Sequence, residues 1–256
     1  MNWKRLVTRT TAAAITWVWL PACDADPATP FLRAYVGHYV NAATDFQPYF
    51  IVDEAAKWPS RDIEVCWEAS AAPYSAEQKW VRTAVAQFIE KNSGFIFNAS
   101  WAACDKDMRP RIRIIVIDSD GVAAESEVGY QAGSNGRPPS PTYMRMNFTF
   151  QTWNYSCAGS EAKRQLCIKT IAVHEFLHAV GALHEQLRPD LQQRDPSCWA
   201  KYKNSPDIHG KLPLALTDYD PDSIMNYCKD IYSVPTQLSA LDLVGLKKLS
   251  DSTGIS

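Results

Sequence analysis

The sequence predicts one mixed α+β domain with few helices, and three observations lead there. Segments with strand-like alternation or β-rich runs come in the order strand, helix, strands, helix, long irregular tail, helix, which does not repeat as βαβ units do. With 256 residues, 46% of them apolar, the chain can bury a single sizeable core. No internal repeat or low-complexity tract breaks that length into smaller units.

Residues 1–22 read as an export signal: Lys4, Arg5 and Arg9 precede the short apolar run Thr10 to Leu20. Leu20-Pro21-Ala22-Cys23 resembles a bacterial lipobox, so Cys23 is a candidate lipidation site and membrane anchor, with simple secretion as the alternative. An exported cell-envelope lipoprotein or a secreted protein is the expected localisation. Residues 24–56 open Pro/Asp/Ala-rich and lack periodicity, which reads as a tether, pro-segment or N-terminal extension. Residues 57–256 then form the expected domain. Assigning Cys23 to processing leaves six of seven cysteines, at 66, 104, 157, 167, 198 and 228. An even set in an exported chain fits three disulfides. Neighbourhood favours Cys157 with Cys167, and also Cys66 with Cys104 and Cys198 with Cys228.

Within the domain, Asp62 to Trp67 alternates as a strand. Ser75 with Gln78 forms an expected capping box for a helix whose apolar stripe includes Trp80, Val81, Ala84, Val85, Phe88 and Ile89, with Gly94 as its stop. Phe95 to Phe97 reads as a short strand and Ile112 to Ile117 as a central one. Asp118 to Tyr143 is rich in Gly, Pro and Ser, with a weak strand signal near Glu125 to Gln131, and is expected to be a functional surface loop. Met144 to Phe150 alternates as another strand. A helix is expected to start between Ser160 and Cys167 and to run to about Val180. Ser239 with Asp242 forms a second capping box, opening a final helix with Leu243, Leu246 and Leu249.

The chemistry is concentrated in His174-Glu175-Phe176-Leu177-His178-Ala179-Val180-Gly181-Ala182-Leu183-His184-Glu185. A spacing of four sets His174 and His178 one turn apart on one helix face, where two imidazoles can grip one cation. On an unbroken helix His184 would point away from that face. Gly181 removes the conflict, because glycine readily takes the positive φ at which helices end and the chain turns back. Three imidazoles leave one zinc position open, unlike a closed structural site, and Glu175 is placed to exchange a proton with a water there. HExxH arises by chance in about one sequence in 200 of this composition, and the added Gly181 and His184 make the coincidence far rarer.

HExxHxxGxxH followed by a methionine turn resembles the metzincin clan of zinc endopeptidases. Glu185, continued by Gln186, Arg188 and Asp190, is similar to the astacin pattern, and so is Ser223-Ile224-Met225-Asn226-Tyr227, although Asn226 stands where that family has histidine. Leu238 to Asp242 has a matrixin-like character. The resemblance implies a twisted mixed β-sheet with two long helices, then a C-terminal subdomain carrying the Met-turn and a final helix. It implies one catalytic Zn2+ on His174, His178 and His184, with Glu175 as general base. Met225 would lie beneath the ligands, and Tyr227 would be a switchable ligand that moves to the reaction intermediate. Residues 24–56 hold no FxGD-like signature, so aspartate-mediated latency is not expected.

The expected substrate is therefore a protein or peptide, which as an extended strand could add to a sheet edge such as Glu125 to Gln131. Two other readings stand beside it: a surface-anchored, non-catalytic zinc-containing binding protein, and a zinc hydrolase of a non-peptide amide or ester. A formal charge of −2 with interspersed signs gives no basic surface for nucleic acid, which is not an expected partner. Asn98, Asn147 and Asn154 begin glycosylation-type triplets, read as accidental in a bacterial lipoprotein.

Overall fold

A computed structural model describes residues 50–97, 101–118, 124–133, 137–152, 155–204, 214–231 and 235–254. All belong to the compact unit spanning residues 44–256. The expected signal segment, Cys23 and the extension as far as residue 49 lie outside the described residues, as do Asn98 and Asn154.

The described chain is α+β. Its main sheet has four strands, ordered β3 (Val65–Trp67), β5 (Ile112–Val116), β7 (Thr142–Met146) and β6 (Ala124–Ser126). The first three run parallel, and β6 joins the edge antiparallel, with Glu125 opposite Arg145. β5 is internal, as the sequence predicts, and Ile112, Ile114 and Val116 are all buried. Helices α1 (Ser75–Phe88) and α3 (Glu161–Ala179) pack on one another, and α3 also touches β6 and β7. The rings of Phe97, Trp101 and Phe176 join the sheet side of the core to α3: Phe176 stacks on Trp101 at 5.3 Å and meets Phe97 edge-on at 5.0 Å.

Several local expectations change in the structure. The segment 62–67 splits in two, because β2 (Asp62–Ile63) pairs with β4 (Ile96–Phe97) while β3 pairs with β5. The Ser75–Gln78 capping box does not form. Tyr74 occupies the cap position, and the Gln78 amide donates to the Ala71 carbonyl at 2.7 Å, tying the helix to the preceding turn. β7 begins and ends earlier than Met144 to Phe150. Phe148 and Phe150 instead bury their rings in the turn beyond it, where Asn147 Oδ1 accepts from the Thr149 and Phe150 amides. Asn147 itself is buried, its amide committed to Asp118. Ser160 caps α3 by accepting from Lys163 N–H.

Residues 50–56, which the sequence reads as the end of the extension, are built into this unit. Phe50, Ile51 and Val52 are buried, and β1 (Ile51–Val52) pairs antiparallel with β8 (Leu214–Ala215). Gly245 has no side chain because Phe50 occupies the space: a Cβ there would lie 2.1 Å from the Phe50 ring. That contact joins the start of the unit to the closing helix α6 (Ala240–Ser252), whose Ser239–Asp242 capping box is present. Before α6 come two short helices, α4 (Leu191–Arg194) and α5 (Pro196–Tyr202), which follow α2 (Tyr155–Ala158) and α3 in chain order.

All three expected disulfides are formed: Cys66–Cys104, Cys157–Cys167 and Cys198–Cys228. Among the described residues no helix is long and apolar enough to cross a membrane.

Candidate metal centre

The last turn of α3 carries His174, Glu175 and His178, all buried. The helix stops at Ala179, and Gly181 follows with φ +114°. Its terminal carbonyls are all engaged. Val180 N–H bonds to Phe176 O, Ala182 N–H to Leu177 O, and the amides of Gly181 and Gly129 to His178 O. The Trp58 indole donates to Ala179 O at 2.7 Å. The turn is thus fixed by residues from two other parts of the chain, Trp58 and Gly129, and it sends His184 back toward the helix.

There His184 Nε2 lies 2.8 Å from His178 Nε2 and 3.1 Å from His174 Nε2. The three histidines form a group able to hold a metal ion, the only such group found among the described residues. Their second nitrogens define the tautomers. His174 Nδ1 faces the Ile224 carbonyl and His178 Nδ1 the Ala182 carbonyl, each at 2.8 Å. A carbonyl can only accept, so both Nδ1 atoms carry the proton and both Nε2 lone pairs face inward. Burial keeps the His174 and His184 rings neutral: it drives His174 down to about 3, with His178 adding repulsion and the Ile224 carbonyl opposing, and it holds His184 well below the usual range.

Glu175 is buried beside this cluster, and its Oε2 finds no hydrogen-bond partner among the described residues. Burial pushes its carboxyl up to about 8, with the charge of Glu125 on the edge strand adding to the effect. Tyr227 closes another side. Its ring stacks on His174 at 5.2 Å, and its hydroxyl donates to His174 Nε2 at 3.1 Å.

The segment 223–227 supports the cluster from below α3. Met225 is buried and its carbonyl accepts from Glu185 N–H at 3.0 Å. The turn is tied to α6 through Asp242, which accepts from the Ser223 hydroxyl and the Ile224 amide. Glu185 is buried 3.6 Å from the Arg188 guanidinium, and burial raises its carboxyl well above the usual range despite that charge. Asn226 is buried and fully used: its amide donates to the Tyr219 hydroxyl and the Asp220 carbonyl, and its oxygen accepts from Cys228 N–H. The structure brings His174, His178, His184 and Tyr227 together, with Glu175 next to His174 on the helix. The orienting carbonyls of Ile224 and Ala182 have no side-chain signature in the sequence, and the Trp58 contact comes from more than a hundred residues away.

No protein-family model matches the chain, and no curated protein matches it. Among solved structures it is similar to High choriolytic enzyme 1, a hatching enzyme zinc-protease from Oryzias latipes (medaka fish), at 18% identity and a TM-score of 0.47 over 82% of this chain and 99% of that one.

Proposed function

We propose that the chain is a zinc-dependent endopeptidase, with His174, His178 and His184 holding the metal, Glu175 as general base and Tyr227 as a hydrogen-bond donor to the reacting carbonyl. The observation that carries this reading is the convergence of imidazole nitrogens beside a buried carboxyl whose Oε2 has no partner among the described residues. Lone pairs packed this closely repel unless a proton or a cation lies between them, and burial opposes protonation. A tetrahedral zinc with bonds of about 2.0–2.1 Å separates its ligand nitrogens by about 3.3 Å, within a few tenths of an ångström of the His184 separations. The residues fit the ion.

Zinc, when bound, supplies Lewis-acid polarisation and makes water acidic enough to react near neutral pH. Glu175 takes a proton from the attacking water and later returns it to the departing amine nitrogen. The Tyr227 hydroxyl donates to the substrate oxygen as negative charge builds there. Ile224 and Ala182 keep the imidazoles in the tautomer that presents Nε2. The substrate is a protein or peptide, for which the antiparallel edge strand β6 offers main-chain partners.

We place the protein outside the cytoplasm, exported by residues 1–22 and either secreted or anchored through Cys23. The six cysteines downstream of Cys23 pair among themselves, which fits an oxidising compartment. A cleavage assay on a denatured protein with and without a chelator tests the activity: chelator-sensitive fragments restored by zinc are expected. Zinc-loaded protein that cleaves neither peptide nor denatured protein would refute the reading and favour the non-catalytic alternative.

A further inference from the structure

The peptide units on both sides of the Tyr227 Cα are held by side chains from elsewhere in the chain. Tyr227 N–H donates to Gln186 Oε1 at 3.2 Å, and the Tyr227 carbonyl accepts from the Tyr202 hydroxyl at 3.0 Å. Gln186 is buried in the turn Glu185–Leu187, two residues beyond His184. Tyr202 is the last residue of α5.

The same short helix grips both neighbours of Tyr227. Cys198 is bonded to Cys228, and Asp195, which caps α5, accepts from the Tyr219 hydroxyl that in turn accepts from Asn226. Residues 226, 227 and 228 are therefore braced in succession by one element. With its N–H and its carbonyl both engaged, Tyr227 is restrained in φ and ψ, and its ring moves chiefly about the side-chain torsions. The hydroxyl, which lies at the histidine cluster in this structure, then travels on a restricted arc between the metal site and the substrate.

The geometry points to Tyr202 and Gln186 as positioning residues: they pin the Tyr227 backbone so that its phenol reaches the reaction centre by side-chain rotation alone. The role given to Tyr227 rests on the peptidase reading, but its seating at the metal can be measured without turnover. Copper(II) in place of zinc gives a phenolate-to-metal charge-transfer absorption when a tyrosine is seated on the ion, and full-length protein serves for every variant.

Tyr227→Phe should abolish that absorption. Tyr202→Phe keeps the ring and loses one hydrogen bond, so it should weaken the absorption and lower kcat by about three- to ten-fold with KM unchanged. Gln186→Leu should act in the same direction, and Gln186→Glu, which keeps an acceptor, should restore both. Tyr202→Phe with undiminished absorption and kcat would overturn the proposal. So would a lowered melting temperature with the absorption intact, since that marks a purely structural strut. Wild-type protein without the absorption overturns it too, because no phenol would be seated there. If wild-type protein shows the absorption but cleaves nothing, the peptidase reading fails, and the absorption of Tyr202→Phe alone decides the clamp.

Discussion

His178 and His184 present their Nε2 atoms to each other at 2.8 Å, although the six-residue step between them would set them on different sides of a continuous helix. The reversal depends on Gly181 at φ +114°. An added Cβ would meet nothing closer than the Ala56 carbonyl at 3.9 Å, so the cost of Gly181→Ala is conformational rather than steric. The substitution should destabilise the protein by about 1–2 kcal/mol, measured by urea denaturation, and should weaken zinc binding by redirecting His184.

The roles proposed for Glu175 and His178 can be tested separately. Glu175→Gln preserves volume and should bind zinc at full stoichiometry while peptidase activity falls by about 10²–10⁴-fold. His178→Ala should lose the metal and the activity together. Metal content and initial rates, taken on the same preparations, check both; an undiminished rate in Glu175→Gln removes the general-base assignment.

The Trp58 indole satisfies the Ala179 carbonyl at the end of the motif helix. Trp58→Phe leaves that carbonyl without its donor in a buried position and should cost about 1–3 kcal/mol in denaturant stability. Zinc stoichiometry should survive, since the imidazole contacts with Ile224 and Ala182 are independent of the indole.

Asp242, in the first turn of α6, is fully buried against residues 223–224, and burial, reinforced by Asp220, raises its carboxyl to about 6. A raised acid favours the folded state most below its unfolded value of about 3.9, and this contribution is lost as pH climbs through about 6. The melting temperature of wild type minus that of Asp242→Asn should therefore fall across that window and level off above it. The shift corresponds to an effect on the order of 2–3 kcal/mol.

What the sequence revealed was local. His174, Glu175, His178 and Gly181 lie within eight residues and share one helix end, so spacing alone carries their geometry. The Ser239–Asp242 box is local as well, and each disulfide joins consecutive cysteines of the described set, although two of the pairs span 38 and 30 residues. Ser75 and Gln78 satisfy the same local rule, yet the helix starts with Ser75 already inside it and Tyr74 at the cap, and the Gln78 amide is turned to donate to the Ala71 carbonyl. Strand partners were not legible, because pairing depends on distant chain: the switch at Glu64 from β4 to β5 has no mark in its own residues. Phe148 and Phe150 keep strand-like alternation but are buried by a turn that Asn147 organises.

The Ile224 carbonyl that orients His174 comes fifty residues after it. During synthesis the histidine motif therefore emerges well before the segment that completes its surroundings, and a half-made chain carries the zinc-binding letters without the finished arrangement. The surroundings of His174 are therefore complete only once residue 224 has been made and has docked.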